Sequence, residues 1–200
     1  MRFLQASAVF VGAVLLAGCG NIQTVKSFST PYKEPEGGER ARIRVVSDGM
    51  VRAVPQSACV NWRLPSAGVM VASIKGFADQ NNKSLGMPAN TVAAAPHDAP
   101  TVVGEFYVPA NKPLALAYLS NSGRITFGAH YQCQVNKTFV PQAGKDYEAR
   151  FIHTLQRSLL SAKESCVVEV TELTPEGAEG VRPEPVELRD ARLCRGGDML

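Results

Sequence analysis

The sequence predicts an all-β protein, an antiparallel β-sandwich of the immunoglobulin or transthyretin type with at most one short helix. Three observations carry this. Short apolar runs, most of four to eight residues, recur between residues 40 and 173. Many are separated by Gly, Pro, Asn, Asp or Ser, the residues that turn a chain. The clearest run, Arg40-Ala41-Arg42-Ile43-Arg44-Val45, alternates charged or apolar side chains with period two, as a strand with one face in a core does. Finally, 17 glycines and 13 prolines among 200 residues favour many turns over long helices. A sandwich is preferred to a closed barrel, which demands more uniform strands than these.

After the run at 40–45, strands are expected at 50–54, 59–63, 69–74, 102–108, 114–119, 124–135, 137–140, 147–153 and 166–173. Their residues are mostly β-branched, aromatic or leucine, which suit a pleated, half-buried surface. Ser120-Asn121-Ser122-Gly123 makes a hairpin turn between the strands at 114 and 124. Residues 155–164 form either two or three helical turns, with Leu155 and Leu159 on one face, or an extended hairpin between their neighbours. The longest irregular stretch, 76–100, is where a partner site would be sought, with Leu85 and Met87 as its apolar contacts. Residues 175–185 (PEGAEGVRPEP) interrupt the strand pattern, and 186–188 add one last short strand. The sole tryptophan, Trp62, stands three residues after Cys59 and is expected in the core beside a disulfide. An exposed partner anchor is the other use of such a residue.

The first residues carry an address. Met1-Arg2 precedes an apolar run from Phe3 to Ala17 with no acidic residue, too short to span a bilayer and suited to a signal-peptide core. It closes on Leu16-Ala17-Gly18-Cys19, which resembles the lipobox of bacterial cell-envelope lipoproteins. That resemblance implies removal of residues 1–18 and a lipid on the Cys19 thiol. Gly20, where an inner-membrane retention signal would place Asp, implies the outer membrane. Residues 19–39, rich in Pro, Gly and polar side chains, read as a tether to a single domain at 40–200; Phe28 and Tyr32 are alternatively positioned to dock on that domain. Phe139 to Tyr147, an apolar residue, a Gly-containing turn and a Tyr-led strand, is similar to units of small bacterial lipoproteins with a sandwich domain. This resemblance extends over roughly 40–175 and implies architecture and location, but no activity.

With Cys19 assigned to lipid, four of the five cysteines remain: Cys59, Cys133, Cys166 and Cys194. An even count in an exported domain reads as two disulfides. The favoured pairing is Cys133–Cys166, both in strand-like runs near one hairpin, and Cys59–Cys194, pinning the C-terminal tail. Zinc is disfavoured because no C-x-x-C pair is present and the thiols would have to stay reduced.

Charge and composition exclude several classes. Lys plus Arg at 21 against Asp plus Glu at 18, and only 7% aromatic residues, argue against a nucleic-acid partner. The three histidines, His97, His130 and His153, show no metal spacing, and no nucleophile motif accompanies His97-Asp98, so neither a metal, a cofactor nor an enzymatic activity is expected. Arg40, Arg42 and Arg44 lie on one strand face, read first as a solvated edge and second as a surface for anionic lipid. The expected protein is thus a lipid-anchored, non-enzymatic envelope component facing the periplasm, whose sandwich is structural or binds another envelope protein. The alternative is a periplasmic ligand-binding or hydrolase-inhibitor module on the same anchor.

Overall fold

The computed structural model describes residues 26–89, 100–120, 125–126, 129–130, 132–157, 162–176 and 180–199; for 125–126, 129–130, 155–157, 162–164, 197 and 199 it describes backbone only. Two five-stranded sheets pack face to face, the sandwich that the period-two runs predict. The first sheet has the order β11 (Gly180–Pro185), β10 (Ala162–Glu176), β9 (Asp146–Arg157), β1 (Arg40–Ser47) and β4 (Val102–Pro109). The second runs β12 (Arg189–Asp190), β8 (Gln134–Phe139), β5 (Leu114–Leu119), β2 (Met50–Pro55) and β3 (Gly68–Ala72). A small hairpin joins β6 (Ile125–Thr126) to β7 (Ala129–His130). All neighbours within the two large sheets are antiparallel except β1 and β9, which run parallel. After β1 the chain crosses into the second sheet, so no hairpin dictates the direction of β9. Instead the turn before β9 bonds to the start of β1, through Gly144 N–H to Arg40 O and Arg42 N–H to Lys145 O.

The core lies where the alternation aims it. Ile43, Val45, Phe106, Ala149 and Phe151 of the first sheet meet Val51, Ala53, Leu116 and Tyr118 of the second, all essentially inaccessible. The Tyr118 and Phe151 rings meet tilted at 5.6 Å, and Phe139 meets Tyr147 edge-to-face at 5.3 Å, geometries that add aromatic attraction to simple burial. The disulfide Cys133–Cys166 ties the residue preceding β8 to β10, and so staples one sheet to the other. Cys59–Cys194 ties the chain after β2 to the segment after β12. Both are the pairs expected from the sequence.

At the β1–β2 turn the Asp48 carboxylate is buried but not orphaned. It accepts the Tyr118 hydroxyl and the His153 backbone N–H, the latter at 2.9 Å. Burial, then the adjacent carboxylate, push the Tyr118 phenol well above its ordinary range, so the group stays a donor.

Several expected elements differ. Residues 59–63 are not a strand; Val60 makes an isolated bridge to Leu193, and the chain around it turns across the outer face of the second sheet. That face presents Val54 and Ala115, which are fully buried beneath Val60, Ala67 and Ala191. Apolar outer residues require a cover, and this segment supplies it. The run at 124–135 is divided between the β6–β7 hairpin and β8, which also absorbs most of 137–140. Of the two readings of 155–164, the extended hairpin is the observed one, with β9 reaching Arg157 and β10 starting at Ala162. Residues 180–185 pair with β10 as an edge strand, where Pro183 and Pro185 are tolerated. Residues 186–188 form no strand, although Val186 and Leu188 pack on the core.

The boundary at 40 also moves. Tyr32 is 2% exposed and Ser27 4%, and Pro31 bridges Val69. Val69 N–H donates to Thr30 O and Tyr32 N–H to Val69 O, both at 2.8 Å. The segment expected to be tether therefore seals the open edge of β3, while Glu34 accepts the Tyr107 N–H on the edge of β4. Docking, the second of the two readings of Phe28 and Tyr32, is the one observed. Covering both edges removes templates for unwanted strand addition. Gly68 makes this possible, because a Cβ there would lie 2.5 Å from the carbonyl carbon of Pro31 and the oxygen of Thr30. Gly68→Ala is expected to destabilise by about 1–3 kcal/mol through overpacking. Hydrogen exchange should then accelerate first at the Val69 and Tyr32 amides; unchanged protection there would show that the segment is not held by this contact.

Candidate functional site

Three regions gather the polar chemistry of the described surface. The first is built on the arginine stripe. Arg40 is exposed and lies over the Tyr107 ring at 4.5 Å. Arg42 forks onto Asp146 at 2.6 and 2.7 Å. Arg44 reaches Glu105 at 2.7 Å and Glu148 at 3.2 Å, and Arg150 contacts Glu148 from the far side. The same arginines bind the loop above them: Arg42 donates to Leu85 O, Arg44 to Met87 O and Pro88 O. Glu105 completes the arrangement by accepting the N–H groups of Leu85 and Met87 and the Ser84 hydroxyl. Burial presses the Glu105 carboxyl upward, but these N–H donors and Arg44 outweigh it and hold the group below the ordinary carboxylate range.

Beyond the exposed Arg40, the stripe is therefore not a solvated face. Arg42 and Arg44 are consumed by carboxylates and loop carbonyls, with Arg44 only 13% exposed. The candidate partner loop is likewise turned inward. Met87 is 7% exposed against Leu173 and Val181, with Leu85 packed beside it. These apolar side chains anchor the loop to β10 and β11, Met87 fully and Leu85 while half-buried. The physical reason is the charge beneath: a loop whose N–H and C=O groups satisfy buried Glu and Arg must lie flat on them.

The second region is an aromatic clamp. Arg52 on β2 points outward yet is only 6% exposed, held between the Phe28 ring at 4.1 Å and the Trp62 ring at 4.0 Å. Its Nη1 donates to the Ser27 hydroxyl at 2.6 Å. Burial lowers its pKa to about 10, so the guanidinium remains charged at neutral pH. Trp62 is thus half-buried on the outside of the second sheet, not inside the sandwich. It is still a packing residue: with Leu64 it borders the cluster around Val54 and Ala115. Arginine stacks well because its planar charge is weakly hydrated.

The third is an open depression of about 790 Å³ lined by Ser57, the Cys59–Cys194 disulfide, Leu64, Asp190 and Arg192. Arg192 forks onto Asp198 at 2.6 Å in the 3-10 turn Gly196–Met199. Those two hydrogen bonds and the Arg195 N–H hold the Asp198 carboxyl at about 2. Ser57, the hydroxyl on its wall, donates to Cys59 O.

Cys19 and His97 lie outside the described residues, as does the side chain of His130; His153 sits in β9 with its amide on Asp48. Among the described residues no group of three or more His, Cys, Asp or Glu is placed to hold a metal ion, and no helix is long and apolar enough to cross a membrane. Comparisons with protein-family models, with curated proteins and with solved structures find no match to this chain. The sequence reading missed one exposed cluster, Ile74 and Phe77 beside Lys75. Its signal was two bulky apolar residues around Lys75-Gly76; the expected strand 69–74 ends on Ile74, whereas β3 stops at Ala72, and Phe77 lies in the irregular stretch 76–100.

Proposed function

We propose that this chain is a lipid-anchored component of a bacterial cell envelope, with a non-enzymatic sandwich that supports or binds another envelope protein. The observation that carries the reading is the sequence Leu16-Ala17-Gly18-Cys19 closing an apolar run ahead of a disulfide-bonded domain. A small residue before the cysteine admits an extended chain to a peptidase, and the thiol takes the lipid. Two disulfides support export to an oxidising compartment, and Gly20 supports the outer membrane, with the domain in the periplasm. The inward use of the arginine stripe supports a domain that is a rigid body rather than a catalyst: its strongest charges stabilise its own loop.

The test is chemical. Metabolic labelling with a fatty-acid analogue should mark the wild-type chain, and Cys19→Ala should abolish both the label and retention in the membrane fraction. Label and retention that persist in Cys19→Ala would sink the anchor. Crosslinking in intact envelopes should then recover a protein neighbour in proportion to the wild-type chain.

A further inference from the structure

We infer that the exposed loop leaving β3, with Ile74 and Phe77 at its apolar points and Lys75 between them, seats on the surface of the bilayer that holds the lipid anchor. The inference rests on the anchor reading and adds to it an orientation and a contact face.

Four observations converge. First, large apolar side chains are costly to leave in water, yet Ile74 is 45% exposed and Phe77 37%, close together in one short loop. Second, this loop packs against the segment at Phe28, only nine residues after Cys19. Ala78 N–H donates to Phe28 O, the Phe28 and Phe77 rings stand 6.1 Å apart, and Lys26 precedes Phe28 by two residues. Third, the docked segment leaves little slack. Only residues 20–25 separate Cys19 from Lys26, so seven steps of at most ~3.6 Å place Lys26 within about 25 Å of a lipid on Cys19. The tether of twenty residues expected from sequence would have allowed any face to approach. Fourth, the charge suits an anionic leaflet. Lys26 and Lys75 are exposed here against one exposed carboxylate, Asp79, so the loop end keeps a net positive charge.

The backbone also fits such a role. Gly76 adopts φ +98° with nothing within 4 Å of where a Cβ would be, so the loop tip turns in open space. Ser73 N–H donates to Gly49 O and its hydroxyl to Asp48 O, which fixes the loop base to the β1–β2 turn. The tip thus projects from a rigid end of the sandwich. Interfacial segments of this kind bury apolar side chains in the headgroup boundary while lysines remain among the phosphates.

The experiment uses the full lipid-modified chain, purified from membranes and reconstituted in phosphatidylethanolamine–phosphatidylglycerol vesicles. Tryptophan is placed at the loop by Ile74→Trp. As a control it is placed by Val140→Trp at an exposed site in the turn between β8 and β9, at the opposite end of the sandwich. Vesicles with acyl chains brominated near the headgroups quench indoles that sit ~5–10 Å deep. Ile74→Trp should lose about half its added emission and shift to the blue, whereas Trp62 in the wild type and the Val140→Trp variant should be little changed. Absence of quenching at Ile74→Trp, with lipid on Cys19 verified by mass, would overturn the contact and leave the anchor standing. Absence of lipid on Cys19 would overturn the anchor and the contact together. A blue shift that grows with protein concentration but is indifferent to bromine would mean a protein occupant, and would also overturn the inference.

Discussion

Replacing Cys59 and Cys194 together by serine is expected to lower the unfolding free energy by about 4–5 kcal/mol. The bridge spans 135 residues, and closing a loop of that length in the unfolded chain corresponds to roughly 5 kcal/mol, against about 4 for the 33 residues between Cys133 and Cys166. The native state feels the loss locally first. Beyond β12, which pairs with β8 through two residues, the tail is held by backbone bonds such as Ala191 N–H to Asn136 O and Cys194 N–H to Val60 O. Freed of the bridge, the tail should open before the sandwich does and uncover Val54, Val60 and Ala115. Urea denaturation measures the global loss, and hydrogen exchange at Ala191 and Val60 measures the opening. A loss below about 1 kcal/mol would mean that native strain offsets the loop-closure term.

Arg44→Met should cost about 3–5 kcal/mol at neutral pH, because it leaves Glu105 and Glu148 buried without their shared cation. The pH dependence separates this from lost packing. In the wild type the Glu105 carboxyl titrates below its ordinary value, so its contribution is present above pH ~4.3 and disappears as pH falls through the lower folded value. Without Arg44 that carboxyl moves upward, the folded state binds protons more readily, and the deficit should shrink towards pH 4. Arg44→Met combined with Glu105→Gln should recover part of the neutral-pH loss. A deficit constant from pH 7 to 4 would assign the effect to the arginine stem alone. Either way, proteolysis near 84–89 should report release of the loop, since Arg44 holds two of its carbonyls.

Alternation at 40–45 was enough to place β1, because period two survives wherever one face is buried. It said nothing about what would lie on the other face, and there the prediction of a solvated stripe failed. Glu105, Glu148 and Asp146 arrive from strands 61 to 104 residues away, and only their register beside Arg42 and Arg44 makes the pairs. The segment around Trp62 shows the same limit. Its composition suits a strand, but the apolar outer face of the second sheet required a lid, and Arg52 required aromatic walls. Phe28 and Tyr32 were equally readable as tether or as docked side chains until the unpaired edge of β3 was seen to need a partner.

By itself the sequence determined the sandwich class, most strand positions and the use of Cys59, Cys133, Cys166 and Cys194 in two disulfides, and it offered Leu16-Ala17-Gly18-Cys19 as a testable address. These are local or countable properties: periodicity, turn chemistry and the parity of thiols. Only the tertiary structure decided which apolar residues remained exposed and that the segment around Phe28 and Tyr32 belongs to the folded body. Those depend on pairing across the two sheets, where burying a charge or an edge in one place compels a distant segment to cover it.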